Sequence, residues 1–139
     1  MKNATIDRTF SILIRESYEY TCQYPSCPDC GNIPGGADDC SHYYGRRYLG
    51  GRWLPDNCVV LCRQRHNYLD KHYHEHVDFV RNHIGEDRFQ MLTERLQSNY
   101  PYSGAEKKEI HAHYRAELKR VRDERKNGKQ GHIPLVSYD

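Results

Sequence analysis

Six cysteines, at positions 22, 27, 30, 40, 58 and 62, constrain what this chain can fold into more than any other feature. They sit in a 139-residue sequence that is only 37% hydrophobic, with a mean hydropathy of −1.00. A chain of this size and polarity makes one domain's worth of structure with a small core, and such a core needs a staple. The staple is either a set of disulfides or a metal. The N-terminal stretch MKNATIDRTF has no apolar signal-peptide centre, and Cys27-x-x-Cys30 is followed by Gly31. Both features favour metal over disulfides, and a cytoplasmic setting. No apolar run of about 18 residues occurs, so no membrane span is expected.

The surrounding segments read as a mixed α+β chain. Phe10, Leu13, Ile14 and Tyr18 have helical spacing, which predicts a helix over residues 7–20 with Asp7 as its N-cap. Residues 21–36 are rich in Cys, Pro and Gly and suit a metal knuckle. Two short strands, 40–44 and 58–61, flank a loop carrying Gly45, Gly50, Gly51 and Pro55. A helix is expected over 65–82 with Leu69, Tyr73, Val77 and Val80 on one face, and a shorter one from Gly85 through Phe89, Leu92 and Leu96. Tyr100 to Gly104 reads as a linker. Beyond it lies a helix over 105–126 with the narrow stripe Ile110, Tyr114, Leu118 and Val121, then a polar tail over 127–139 expected to be loosely ordered. The organisation implied is a zinc-bound domain over 1–100 and a basic helix and tail over 101–139.

Three residues stand out together: His42 on the first strand, Asn57 at the start of the second, and His66 on the helix that follows. A strand–loop–strand–helix unit can converge them on one cleft. Phosphodiester hydrolysis needs a base for water and a divalent cation for the developing charge. Imidazole suits the base, an amide can tie down the loop, and a second imidazole can ligate the cation. Cys27, Cys30 and Cys62 frame this unit, so a structural Zn2+ would clamp both its ends. A zinc partner for Cys62 is expected three residues on, but that position is Arg65. The fourth ligand is then Cys22 or, as second choice, Cys58, and Cys40 with the remaining one reads as buried apolar surface.

The stretches IDRTFSILIRES, CPDCG, SHYYGRR, GRWLPDNCVVLC, RHNYLDKH, DFVRNHIGEDRFQML and EIHAHYRAELKRVR resemble the NinG/Rap family of phage recombination nucleases, over roughly residues 6–125. That family is a branch of the His-Asn-His, or ββα-metal, superfamily. The resemblance implies a small zinc-stabilised ββα-metal core between flanking helices. It also implies cleavage of branched recombination intermediates, D-loops and Holliday-type junctions, with Mg2+ or Mn2+. It makes His42 the general base and puts His66 at the metal position. Arg46 or Arg47, with Arg52 and Arg63, would be the DNA-binding cations. Ser41 stands where many superfamily members carry a metal ligand. Asp70, one turn after His66, would add a carboxylate, with Asp38 and Asp39 less favoured. DNA is the implied partner, with phage or host recombination proteins beside it, and symmetric junction cutting would suit a homodimer.

Other features stay open. A net charge of +2 and a pI near 8.2 do not decide nucleic-acid binding, because the placement of charge matters more than its sum. The charged face of the last helix is either solvated or tracks a phosphate backbone. His72 and His76, one helical turn apart, could share a metal; an exposed imidazole-rich face is the favoured reading, with His74 pointing elsewhere. A sequence-preferring nicking or homing nuclease and a non-catalytic zinc module for DNA binding are the competing functions.

Overall fold

The computed structural model describes residues 1–97 and 101–139; Tyr100, where the sequence places the start of the linker and the end of the first domain, lies outside the described residues. Helix α1 runs Asn3–Ser17 and buries Ile6, Phe10, Leu13, Ile14 and Ser17, one continuous helical stripe. It starts a turn earlier than the sequence suggests. Lys2 occupies the cap without a side-chain bond, so Asp7 is inside the helix and is not its cap. Its carboxylate faces Arg52 and Trp53 instead. Glu19 and Tyr20, at φ 54° and 52°, adopt the left-handed conformation that ends the helix short of residue 20.

The chain then forms the cysteine knuckle, which Asn32 holds together. Its carboxamide accepts from the Cys27 N–H at 2.8 Å and donates to the carbonyls of Cys22 and Tyr24 at 2.9 and 2.7 Å. Strand β1 (Asp39–His42) pairs antiparallel with β2 (Cys58–Leu61), with Asp39 opposite Leu61 and His42 opposite Cys58. Tyr43 and Tyr44 leave the strand to meet Asn57, so β1 is shorter than expected. The crossing segment contains one helical turn, α2 (Leu49–Arg52), and a 3-10 turn over Pro55–Asn57.

The single helix expected over 65–82 is two: α3 (Arg63–Lys71) and α4 (Tyr73–Ile84). The cause sits in one side chain. The His72 ring stacks on Tyr68 at 3.8 Å, and its Nδ1–H donates to the Tyr68 carbonyl at 2.7 Å. That carbonyl is the one the residue 72 N–H would take in a continued helix, so the side chain competes with the backbone. The kink rotates the next stripe, which buries His76, Phe79, Val80 and Ile84 and leaves Tyr73 exposed. Gly85, at φ 88°, turns the chain into α5 (Glu86–Gln97), which buries Phe89 and Leu92.

Helix α6 (Gly104–Lys126) opens with a capping box between Ser103 and Glu106. It lies along α1, with Phe10 and Tyr114 edge to face at 4.8 Å. The buried stripe is Ile110, Tyr114, Glu117 and Val121, so Glu117 takes the place expected for Leu118. Arg120 and the Val136 N–H satisfy its carboxylate. The tail is not loose. Ile133 is fully buried, its N–H donates to the Ser17 carbonyl at 2.9 Å, and His132 stacks on Tyr18 at 4.1 Å. The Val136 carbonyl accepts from His113, and the Tyr138 N–H and hydroxyl meet Tyr114 and Glu109, so polar contacts along α6 join the one buried apolar side chain in docking the segment. The described residues thus form an α+β chain of six helices around a two-stranded sheet. Among them no helix is long and apolar enough to cross a membrane.

Candidate active site and cysteine cluster

The four sulfurs of Cys22, Cys27, Cys30 and Cys62 all lie within 4.8 Å of one another, and Cys27 and Cys62 are 3.8 Å apart. Zn–S bonds of about 2.3 Å at tetrahedral angles put sulfurs about 3.8 Å apart, so this cluster fits a tetrahedral Zn2+. Cys22 is therefore the fourth member and Cys58 is not. Arg65, which replaces the expected cysteine, has a different job. Its backbone N–H caps the cluster at Cys62 Sγ, 3.4 Å away, while its guanidinium is sandwiched between Tyr24 and Tyr68 and paired with Asp29 at 3.0 Å. Burial opposes ionisation of Cys27, but the N–H groups of Asp29 and Cys30 and the neighbouring thiols outweigh it and bring its pKa to about 7. A thiol so poised gives up its proton to water readily and binds a metal as the thiolate.

A cleft of about 480 Å³ opens beside the hairpin, lined by Asp39, Cys40 and His42 of β1, His66 of α3, and Arg46 and Arg63. The sequence-derived pair His42 and His66 thus meet in one cavity. His42 is half-buried, and its Nε2 lies 3.3 Å from the Arg52 carbonyl. A carbonyl only accepts, so Nε2 carries the proton and Nδ1 keeps its lone pair. Burial, foremost, holds the ring below the ordinary imidazole pKa, and Arg46 adds to this. The imidazole is therefore neutral at pH 7.

His66 is oriented by a residue to which the sequence assigns little weight. Asp39 accepts from the His66 Nδ1–H at 2.9 Å, and Nε2 lies 3.5 Å from an Asp70 carboxylate oxygen. With Nδ1 held by Asp39, Nε2 is the ring nitrogen that a cation seated beside Asp70 would meet. Arg63 chelates the same Asp39 at 2.7 and 3.1 Å and, more than any other contact, holds its carboxyl below the usual range.

Asn57 does not line the cleft; it is fully buried behind it. Its amide donates to the carbonyls of Tyr44 and Gly51 at 2.9 and 3.0 Å and accepts from the Tyr44 N–H at 2.9 Å, closing the loop over 44–51. Gly51 is needed there, because a Cβ would fall 2.5 Å from a Leu96 methyl and 3.2 Å from the Asn57 amide nitrogen. The four arginines separate. Arg46 and Arg63 reach the cleft, and Arg47 lies out on the loop against Tyr48. Arg52 is locked to Asp7 at 2.9 and 2.5 Å, and the Trp53 Nε1–H joins the same carboxylate at 2.9 Å. Burial alone would raise the Asp7 pKa, yet these donors lower it. Asp7 had a sequence signal: a carboxylate one step from Ile6 on the buried stripe needs a partner. Ser41 is buried away from the cleft and offers no ligand to it.

The histidine-rich face is only partly exposed: His72 and His74 are on the surface, while His76 is buried against Tyr43. Part of the cationic face of α6 is consumed within the chain, with Arg122 on Glu16, Arg125 on the Glu16 and Ser17 carbonyls, and Arg120 on Glu117 and Glu124. No family model, no curated protein and no solved structure matches the chain.

Proposed function

We propose that this chain is a metal-dependent DNA endonuclease of the ββα-metal, His-Asn-His type, stapled by a structural Zn2+ on Cys22, Cys27, Cys30 and Cys62. The observation that carries this reading is the convergence of His42 and the Asp39-oriented His66 in one cleft, on an antiparallel hairpin that runs directly into a helix. In the reaction, His42 Nδ1 takes the proton of the water that attacks phosphorus. Arg46 and Arg63 hold phosphate oxygens. His66 Nε2 and Asp70 would hold the cation, with Asp39 fixing the His66 tautomer. Mg2+ or Mn2+ held there would offset the negative charge that builds on the phosphate and the leaving oxygen. Asn57 keeps the loop, and with it the Arg52 carbonyl behind His42, in place.

The substrate class is branched DNA, on the resemblance of the motifs to the NinG/Rap nucleases. Cleavage of a four-way junction, a D-loop and linear duplex at matched salt, with Mg2+ or Mn2+, tests both levels. Junction and D-loop should be cut in preference, and His42→Ala should lower the rate by about 10²–10⁴-fold with zinc content unchanged. Equal cutting of all three removes the branched preference. Failure to cut any DNA removes the nuclease reading and leaves a zinc module.

A further inference from the structure

A second group of soft ligands stands at the edge of the same cleft. Cys40 and His42 are two apart on β1, and Cys58 is the cross-strand partner of His42. Residues two apart on a strand share a face with the cross-strand neighbour, so all three project to one side of the hairpin. Cys40 Sγ, a His42 ring nitrogen and Cys58 Sγ lie within 4.8 Å of one another, the same closeness as in the four-cysteine cluster. The six cysteines therefore divide into a set of four and a pair, with none left single. All six are free thiols.

We propose that Cys40, His42 and Cys58 form a second metal site, which takes a thiophilic cation of the Zn2+ class and, when filled, shuts off the base. The donor set decides the ion. Two thiolates and an imidazole favour Zn2+ and its soft analogues over Mg2+, which prefers oxygen. Charge agrees as well, since a divalent cation on two thiolates and a neutral imidazole sums to zero. A neutral group suits a half-buried hairpin better than the doubly negative four-thiolate site would. Cys40 and His42 line the cleft while Cys58 lies behind them, so the fourth coordination position opens toward the cavity. Three protein ligands and one open position bind more weakly than four thiolates. The four-cysteine cluster fills first, and this site responds only to zinc in excess.

The binding claim stands on the three ligands alone. The inhibitory consequence rests on the endonuclease reading, because coordination occupies the lone pair that His42 would use on water. Protein carrying one zinc per chain is titrated with Zn2+ by calorimetry, and with Co2+ by absorbance while zinc release is monitored. One further equivalent is expected, with sulfur-to-cobalt charge-transfer absorption and no zinc released. Cys58→Ala and, separately, Cys40→Ala should lose the second equivalent and keep the first. No second equivalent in the wild type, or its retention in both variants, overturns the site. With Mg2+ saturating, added Zn2+ should slow junction cleavage by the wild type and not by Cys58→Ala. Equal slowing of both overturns the inhibitory role, whereas protein that never cuts DNA fails the endonuclease reading and leaves the titration to decide the site.

Discussion

Replacing Asn57 by Ala removes three hydrogen bonds at once from a side chain with no exposed surface. The Gly51 carbonyl is buried, and leaving it without a donor costs about 1–3 kcal/mol. The Tyr44 N–H and carbonyl are half-buried, so water replaces part of what they lose, and each bond contributes about 0.5–1.5 kcal/mol. Together the three give a loss of roughly 4 kcal/mol, a large share of the stability of a domain this size. In thermal terms that is a drop of about 10–15 °C in Tm. The assay is urea unfolding at saturating Zn2+, followed by far-UV dichroism and by fluorescence of Trp53, the one tryptophan, which is 2% exposed beside the loop. Asn57→Asp sharpens the test. It keeps the acceptor for the Tyr44 N–H but turns a carboxylate oxygen toward two carbonyls, so it should destabilise at least as much as Ala. A loss below about 1 kcal/mol for Asn57→Ala, or wild-type stability for Asn57→Asp, would refute the reasoning that the amide closes this loop.

Two further outcomes follow from the same contacts. Cys27→Ser should lose the structural zinc and unfold the hairpin, since ligation contributes on the order of 10 kcal/mol; one zinc per chain retained by that variant, by atomic emission, would contradict the four-cysteine assignment. Stability should also fall as pH drops: burial holds His76, His83 and His132 below the ordinary 6.5, so the unfolded chain takes up protons the folded one refuses once pH reaches that value. Asp7, Asp39 and Glu117, lowered in the fold, act in the same direction further down, and a Tm that stays flat or rises between about pH 8 and about pH 5 would show the imidazoles are not buried neutral.

The legible parts of the fold were those written in periodicity and spacing. The stripes of α1 and α5, the β2 strand and all but one position of the α6 stripe lie where the apolar pattern puts them, and the cysteine spacing points to a cluster with Cys22 as first choice for its fourth member. What sequence alone hides is set by contacts remote along the chain. Nothing near His72 announces a break, because the break comes from an imidazole competing for one carbonyl. Asp7 looks like a cap until Arg52 and Trp53, far along the chain, are folded against it. Asp39 looks like surplus acid beside a knuckle until α3 brings His66 within hydrogen-bonding distance. The tail docks through the buried Ile133 and through scattered polar contacts of His132, Val136 and Tyr138, none of which registers in composition.

The arginines of the cleft divide by exposure, and the division bears on how DNA would enter under the endonuclease reading. The Arg52–Asp7 pair has side chains only 17% and 12% exposed, and breaking it would strand a carboxylate on the buried stripe of α1. It is an anchor for the loop and not a phosphate ligand. Arg63 chelates Asp39 with its own side chain 75% exposed while the carboxylate is 13% exposed, so water competes for the guanidinium end of the pair and weakens it. A backbone phosphodiester carries the same single charge and as many non-bridging acceptor oxygens, so it offers the Arg63 guanidinium an equivalent bidentate partner. That exchange would leave His66 as the remaining hydrogen-bond partner of Asp39, and the undivided carboxylate charge would make the imidazole a stronger ligand for a cation. Substrate binding and the setting of the cation ligand would then be one event. In the free protein Arg63 covers the Asp39 carboxylate, and on the endonuclease reading the arrival of DNA would uncover it.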